Sequence, residues 1–236
     1  ADPKNDVEGY DNMYKLSILG SLAFNTKVPI EKIYREGIQK VSTKDIEIGK
    51  EFGYVVKMLA IGKREGNKIE VRVHPTMIPK EHPLASVNGV FNAIFLHGDS
   101  VDDVMLYGQG AGQLPTASAV VSDVIYAAKM MAAPVYTAFD QQVDSSIEFV
   151  DNFKTAAFIN ITVKDEVGVL SSITALLAKR GVSVAAMVQK TKSTEGVVKL
   201  IFITHEAHEN DIEAAIQDIL ELPAVVMINN IIRVEN

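Results

Sequence analysis

The periods of hydrophobic and polar positions change along the chain and divide it into helices and strands. Apolar residues recur every three or four positions over about 11–24 and 115–131, which predicts two amphipathic helices. Apolar and polar residues alternate over 54–63 and 68–77, on either side of Arg64-Glu65-Gly66-Asn67. That alternation around a Gly-Asn turn predicts a β-hairpin.

Further elements complete an amino-terminal domain. Ser42-Thr43 is a helix-start signal for a segment that closes near Gly53. Segments 89–97 and 103–107 predict two more strands around a polar turn. We therefore predict an α/β domain over residues 1–150, built on a mixed or largely antiparallel sheet, with the long helix 115–131 covering one face.

A second domain is predicted over residues 156–236. Its segments follow the order β-α-β-β-α-β, which predicts a ferredoxin-like sandwich with two helices on one face of a sheet. The predicted strands are 157–163, 182–190, 196–204 and 224–234, and the predicted helices are 167–180 and 209–220. The whole chain is thus expected to be an α/β (α+β) protein of two domains, which its 236 residues can accommodate.

Composition narrows the classes of function. The net charge of −7, without a basic stripe, argues against nucleic-acid binding. The sequence contains no run of 18 apolar residues, the length that would indicate a membrane span. We expect a cytoplasmic protein with small-molecule ligands. The chain has no cysteine, which excludes disulfides and thiolate chemistry. His74, His82 and His97 are scattered, and His205 and His208, three positions apart, suit a solvated loop, so we predict no metal site.

The first fifteen residues concentrate charge. Asp2, Asp6, Glu8 and Asp11 lie close in sequence to Lys15. Asp11 and Lys15 are four positions apart where the helical pattern begins, so their side chains share one face. Such a pair can be an exposed ion pair worth about 0.3–0.5 kcal/mol. The crowding of the remaining carboxylates instead favours a site for a cationic ligand.

Three ordered blocks resemble homoserine dehydrogenase. The first resembles the substrate-site signature of that family, the second its glycine-rich segment near the nicotinamide, and the third a further family block. In this order they are Asp2-Pro3, Asp6-Val7-Glu8-Gly9, Asp11 and Lys15-Leu16; 108–120; and 83–94. The resemblance covers residues 1 to about 150.

The resemblance implies an oxidoreductase that interconverts L-aspartate 4-semialdehyde and L-homoserine in threonine and methionine biosynthesis. It implies catalytic roles for Lys15 and Asp11, and contacts of Asp6 and Glu8 with the substrate ammonium. Asn5 is a weaker substrate-binding prediction, because some family members have an acid at that position.

The family uses NAD(P), which the resemblance places mainly on an amino-terminal nucleotide-binding domain. The chain starts without methionine and inside the signature, so we expect it to lack that domain and to be inactive without it. Gly110, Gly112 and Thr116 are the predicted cofactor contacts here. The same glycines also suit a strand-to-helix turn that binds no ligand.

The segment after the first strand of the second domain resembles the ACT domain, a regulatory module that commonly binds amino acids. Asp165, Val167, Gly168 and Val169 are the predicted effector contacts, and threonine is the effector implied by the resemblance. Two alternatives stay open, because Asp165 can simply cap the helix and the module can serve dimerisation alone. An effector-binding or dimerising module without catalysis is the second functional hypothesis. Either use predicts a homo-oligomer.

Overall fold

The computed structural model describes residues 3–132, 144, 146–194 and 196–235. Asp2 and most of the polar stretch 139–146 lie outside the described residues. The elements follow in this order: α1 (Lys4–Val7), α2 (Tyr10–Phe24), β1 (Tyr34–Arg35), α3 (Thr43–Glu51), β2 (Tyr54–Glu65), β3 (Lys68–Pro79), β4 (Phe91–Gly98), β5 (Asp102–Gln109), α4 (Gln113–Ala132), β6 (Glu148–Phe149), β7 (Lys154–Lys164), α5 (Val169–Lys179), β8 (Val184–Thr194), β9 (Val197–Thr204), β10 (Ala207–His208), α6 (Glu209–Leu220) and β11 (Val225–Val234).

The residues of the chain fall into two compact units. The larger unit consists of residues 1–79 and 142–236, and the smaller unit of residues 80–141. The larger unit is continuous because one sheet passes through it, in the order β1-β3-β11-β7-β9-β8. Strand β2 pairs with β3 as the predicted antiparallel hairpin.

The strands from β7 to β11, with α5 and α6, form the predicted β-α-β-β-α-β arrangement, which we call the carboxy-terminal module. Its main strands lie in the antiparallel order β11-β7-β9-β8 that is typical of a ferredoxin-like sheet. Both helices pack on the same face of this sheet. The fully buried residues of that core include Ile159, Ile161, Ile173, Leu177, Phe202, Ala215 and Ile219.

The opposite face of the same sheet is covered by the amino-terminal part of the larger unit. Phe158, Ile201 and Ile232 pack there against Ile48 of α3 and Met77 of β3. At this junction β11 runs parallel to β3, with Arg233 opposite Thr76 and Val234 opposite Met77. The sheet of the module is therefore buried on both faces.

Helix α3 connects the two parts through a buried carboxylate. Ser42 and Asp45 form a capping box, in which each side chain accepts from the backbone N–H of the other residue. The Asp45 carboxylate, 2% exposed, also accepts from the Asn160 and Asn230 amides at 3.0 Å each. Burial alone raises the pKa of Asp45, but the hydrogen bonds from Asn230, Ser42 and Asn160 together hold it below its ordinary value.

The smaller unit differs from the prediction. Strands β4 and β5 form a separate two-stranded sheet instead of joining the main one. Helix α4 does not bury a face on that sheet, since none of its residues is buried. Its exposed apolar side chains are Leu114, Val120, Val121, Val124, Ile125, Tyr126 and Met131. Within the described residues, no helix is long and apolar enough to cross a membrane.

Asp45→Asn is expected to lower the free energy of unfolding by about 2–3 kcal/mol at neutral pH, because an amide replaces a charged acceptor that two buried amides share. The native pKa of Asp45 is depressed, so its stabilisation is present above its ordinary pKa and disappears as the pH falls through the native value. Urea unfolding at several pH values should show the difference between variant and parent shrinking on acidification. Asp218→Asn, which changes a partly exposed partner of Arg180, is the control and should cause a smaller loss. An equal loss at every pH would contradict this account.

Candidate functional site

The predicted substrate residues lie on α1, on α2 and on the turn between them. Gly9 forms this turn in the left-handed region, with φ +79°, and is buried. A Cβ atom at this position would lie 2.4 Å from Met58 Cε and 3.2 Å from Val73 Cγ1. The glycine of the signature is therefore needed both for its conformation and for the close approach of the turn to β2 and β3.

One face of α2 anchors the helix in the core of the larger unit. Met13, Leu16 and Gly20 are its buried residues, and Met13 and Leu16 pack with apolar residues of β3. The intervening positions of the helix therefore face outward. Asp11 and Lys15 are among them, with side chains that are 42% and 56% exposed.

The structure places Lys15 Nζ 2.6 Å from Asp11 Oδ2, the contact that the four-residue spacing predicts. At this exposure the ion pair itself contributes a few tenths of a kcal/mol at most. The pair therefore contributes too little to the free energy of folding for stability to be its main role. What the surrounding contacts achieve is a fixed position for an amine and a carboxylate at the surface.

The other predicted substrate residues precede this pair in the chain, on α1 and at its end. Asn5 and Asp6 are exposed on α1, and Glu8 is half-buried at its end. In the described part of the chain, the carboxylates of Asp6 and Glu8 have no ion-pair partner. Both acids are therefore available to a positively charged ligand group.

Arg35, in the short strand β1, is a contact of this segment that the sequence did not reveal. Its Nη1 donates to the backbone carbonyl of Glu8, and its guanidinium lies 3.8 Å from the centre of the Tyr10 ring. The chain next to β1 adds a further bond, from the Ile38 N–H to the Val7 carbonyl at 2.9 Å. The sequence signal that could have indicated a polar contact here is Tyr34-Arg35-Glu36, three consecutive residues with polar groups after the apolar Ile33.

The predicted cofactor residues lie in the smaller unit. Gly110 and Gly112 occupy the turn between β5 and α4, and Thr116 is exposed in the first turn of α4. A Cβ atom on Gly110 would lie 1.3 Å from the Asn92 amide nitrogen, and Gly112 has φ +123°. This is the strand-turn-helix arrangement that both interpretations of the glycines expected.

The predicted effector residues lie at the start of α5. Asp165 and Val167 are exposed, and Gly168 begins the helix with φ +90°. The helix has no side-chain cap, so the alternative in which Asp165 caps it is wrong. Val169 is buried in the core of the module, and only its backbone is available to a ligand.

A group of buried polar side chains lies where β3 meets β11, and we call it the polar seam. Arg72, His74 and Thr76 are fully buried, although the alternating pattern of β3 is also typical of a strand with a solvated face. Arg72 contacts Glu70 at 2.7 Å and Glu235 at 2.5 Å, and His74 stacks on Phe153. Arg233 of β11 completes the seam, with Tyr34, Glu36 and Glu209 as its partners.

Comparison with known proteins agrees with these features. The family model of homoserine dehydrogenase matches residues 1–125, more than half of the chain. The chain belongs to the homoserine dehydrogenase family. The ACT domain model matches residues 157–224, within the carboxy-terminal module. The predicted family and the predicted α/β fold with an ACT domain are thus confirmed.

Relatives of the homoserine dehydrogenase family align over the whole chain. The homoserine dehydrogenase of Bacillus subtilis is 37% identical, with 100% of this chain and 55% of the relative covered. That of Neisseria gonorrhoeae is 38% identical, with 100% and 56% covered. The crystal structure of a homoserine dehydrogenase from Thiobacillus denitrificans superimposes with a TM-score of 0.91 at 37% identity, covering 100% of this chain and 55% of that one. The chain therefore spans about half the length of the relatives it matches.

Gly9→Ala is expected to destabilise the larger unit more than Gly53→Ala does. Both glycines have a positive φ, +79° and +82°, but only Gly9 has neighbours where a Cβ would lie. The conformational cost common to both is about 1–2 kcal/mol, and at Gly9 the displacement of the Met58 methyl and the close approach to the buried Val73 add about 1 kcal/mol. Urea unfolding of the two variants measures the difference. Gly9→Ala should lower the free energy of unfolding less in a Met58→Ala background than in the parent. Equal losses in Gly9→Ala and Gly53→Ala would refute the close-approach argument.

Proposed function

We propose that this chain is the substrate-binding and regulatory part of a homoserine dehydrogenase, which interconverts L-aspartate 4-semialdehyde and L-homoserine with NAD(P). The observation that carries the proposal is the Asp11–Lys15 pair, held at the start of α2 by the buried Gly9 turn. Membership of the family supplies the reaction, and the fixed amine and carboxylates supply groups that this reaction needs.

The substrate carries an ammonium, a carboxylate and the reacting carbonyl or alcohol. Reduction of the aldehyde generates an alkoxide that must take up a proton, and a positioned amine can supply it. We assign this role to Lys15, whose charge also polarises the carbonyl, and the role of orienting Lys15 to Asp11. Asp6 and Glu8 bind the ammonium, and the Asn5 amide oxygen adds a hydrogen-bond acceptor without charge.

NAD(P), when bound, supplies or accepts the hydride at the reacting carbon. The turn from Gly110 to Gly112 fits an approach of that cofactor, because it is exposed and neither glycine has a side chain. The exposed hydroxyl of Thr116 lies in the following helical turn and is suited to a polar contact. We assign most of the nucleotide binding to the half of the relatives that this chain does not span.

An effector role for the carboxy-terminal module is a second proposal, and the match to the ACT domain favours it. Asp165 and Val167 are exposed beside a helix start whose N–H groups attract a carboxylate. We propose an amino acid, with threonine first, as the ligand of this turn. A cytoplasmic homo-oligomer remains part of the proposal, and the unburied apolar side chains of α4 are consistent with a partner surface.

Lys15→Ala is expected to lower kcat at least about 100-fold in the protein at the full length of its relatives, because a positioned proton donor contributes that much to such reactions. Steady-state oxidation of homoserine, followed as formation of the reduced nicotinamide, measures the loss. Lys50→Ala removes a lysine from the last turn of α3 and should leave kcat unchanged. A Lys15→Ala enzyme with parental kcat would exclude the assigned role.

L-Threonine is expected to bind the 236-residue chain saturably in calorimetric titration, with L-homoserine and L-methionine as competing controls. Gly168→Ala should weaken threonine binding, because an L side chain is strained at φ +90°. Lys15→Ala should leave it unchanged, since Lys15 belongs to the other site. The absence of heat and of competition would favour dimerisation as the only use of the module.

A further inference from the structure

We propose that Arg35 is a positioning residue for the segment Glu8–Tyr10, and that Arg233 connects Arg35 to helix α6 of the carboxy-terminal module. The consequence for catalysis rests on the proposed function. The structural part of the inference stands on contacts within the larger unit alone.

The first step is the grip of Arg35 on the segment. Its guanidinium donates to the Glu8 carbonyl and stacks on Tyr10, so the two contacts lie on either side of Gly9. The chain that follows β1 also packs closely on this segment. A Cβ on Gly37 would lie 2.7 Å from the Val7 carbonyl oxygen and 2.9 Å from Glu8 Cα, so no space is left between the two backbones. A displacement of β1 therefore displaces the turn that begins α2.

The second step is the position of β1 in the sheet. This strand runs parallel to β3, with Tyr34 opposite Arg72 and Arg35 opposite Val73. Side chains alternate across a strand, so Arg35 points to one face while Tyr34 and Glu36 point to the other. One face of this short segment meets the substrate residues and the opposite face meets Arg233.

The third step is the set of bonds around Arg233, whose side chain is only 8% exposed. Its Nη1 donates to Glu36 at 2.7 Å, and its Nη2 donates to the Tyr34 hydroxyl at 2.7 Å. Its Nε donates to both Glu209 oxygens, at 3.1 and 3.2 Å, and Glu209 is the first residue of α6. A planar guanidinium can satisfy these acceptors together, whereas a lysine ammonium lacks the fork.

These contacts form one continuous path from the start of α6 to the segment Glu8–Tyr10. It starts at Glu209 in α6, passes through Arg233 to Glu36 and Tyr34, and reaches Glu8 and Tyr10 through Arg35. Separating a buried charge from its partners costs much free energy. A shift of α6 must therefore either move Glu36 with it or break a buried ion pair. A displacement of α6 in the carboxy-terminal module thereby acquires a mechanical route to the substrate residues.

Hydrogen exchange of the 236-residue chain tests the structural part. In Arg35→Met, the hydrogen-bonded backbone amides within residues 9–13, which are those of Gly9 and Met13, should exchange about tenfold faster or more, because the local opening of the turn becomes easier. The matched control is Arg64→Met, since Arg64 Nη1 donates to the Phe24 carbonyl at the other end of the same helix. Unchanged exchange of residues 9–13 in folded Arg35→Met would overturn the inference. If that variant does not fold, Arg35→Lys replaces it and is expected to show a smaller acceleration of the same amides.

Arg233→Lys tests the connection. It should also accelerate exchange of residues 9–13, by at least about threefold, and the double variant Arg35→Met/Arg233→Lys should exchange no faster than Arg35→Met, because both changes break one path. Arg180→Lys, at an exposed bidentate pair with Asp218, is the control and should leave these amides unchanged. Additive effects of the two substitutions would separate Arg233 from Arg35 and overturn the connection.

Kinetics of the protein at the full length of its relatives test the consequence. Arg35→Met should raise KM for homoserine about tenfold while KM for NAD(P) stays the same, because only the substrate segment moves. A purely structural loss would instead reduce kcat through the active fraction and leave both KM values unchanged, and that result would overturn the positioning role. If the parent protein does not turn over homoserine, the proposed function fails, while the exchange experiment still decides the structural inference.

Discussion

The short parallel pairing of β3 with β11 is the interaction on which the rest of the larger unit depends. It places Arg233 opposite Thr76 and so brings the polar side chains of both strands into the interior. Buried charges are tolerated only with partners in good geometry, which restricts how the two strands can meet. Apolar packing of Met77 against Phe158 and Ile232 holds the strands together, and the polar seam determines their register.

The candidate substrate site follows from this constraint. The Asp11–Lys15 pair is exposed and weak by itself. Its helix is nevertheless fixed by the buried side chains of Met13 and Leu16 and by the Gly9 turn that precedes it. Reactive groups need such support, because a displacement of about 1 Å can cost a large part of the rate. The position of the Asp11–Lys15 pair therefore depends on neighbours that do no chemistry, and these neighbours pack on the sheet that β11 completes.

Local signals in the sequence predicted most elements, since helix periodicity, the Ser42 capping signal and the Gly66-Asn67 turn act over a few residues. The burial of Arg72 and His74 could not be predicted, because the side chains that contact them are distant in sequence: Phe153 lies against both, and Glu235 is 163 residues from Arg72. Helix α4 was predicted to cover a sheet, but none of its residues is buried. An amphipathic pattern predicts a helix with an apolar face and does not indicate which surface that face contacts. Spacing predicted the contact of Asp11 with Lys15, whereas their chemical roles came only from the family resemblance.

The ionisation of the polar seam indicates what kind of signal it can transmit. Burial raises the pKa of Tyr34 to about 12, against the opposing charge of Arg233. Burial, and after it the charges of Arg233 and Arg72, lower the pKa of His74 well below its ordinary value. Burial opposes the charge of Arg233, but its bonds to Glu209 outweigh that effect and raise its pKa. All three shifts lead away from neutrality, so these groups keep one protonation state through the neutral range. A signal that crosses the seam under those conditions is therefore a displacement of its partners and not the uptake of a proton by one of these three groups.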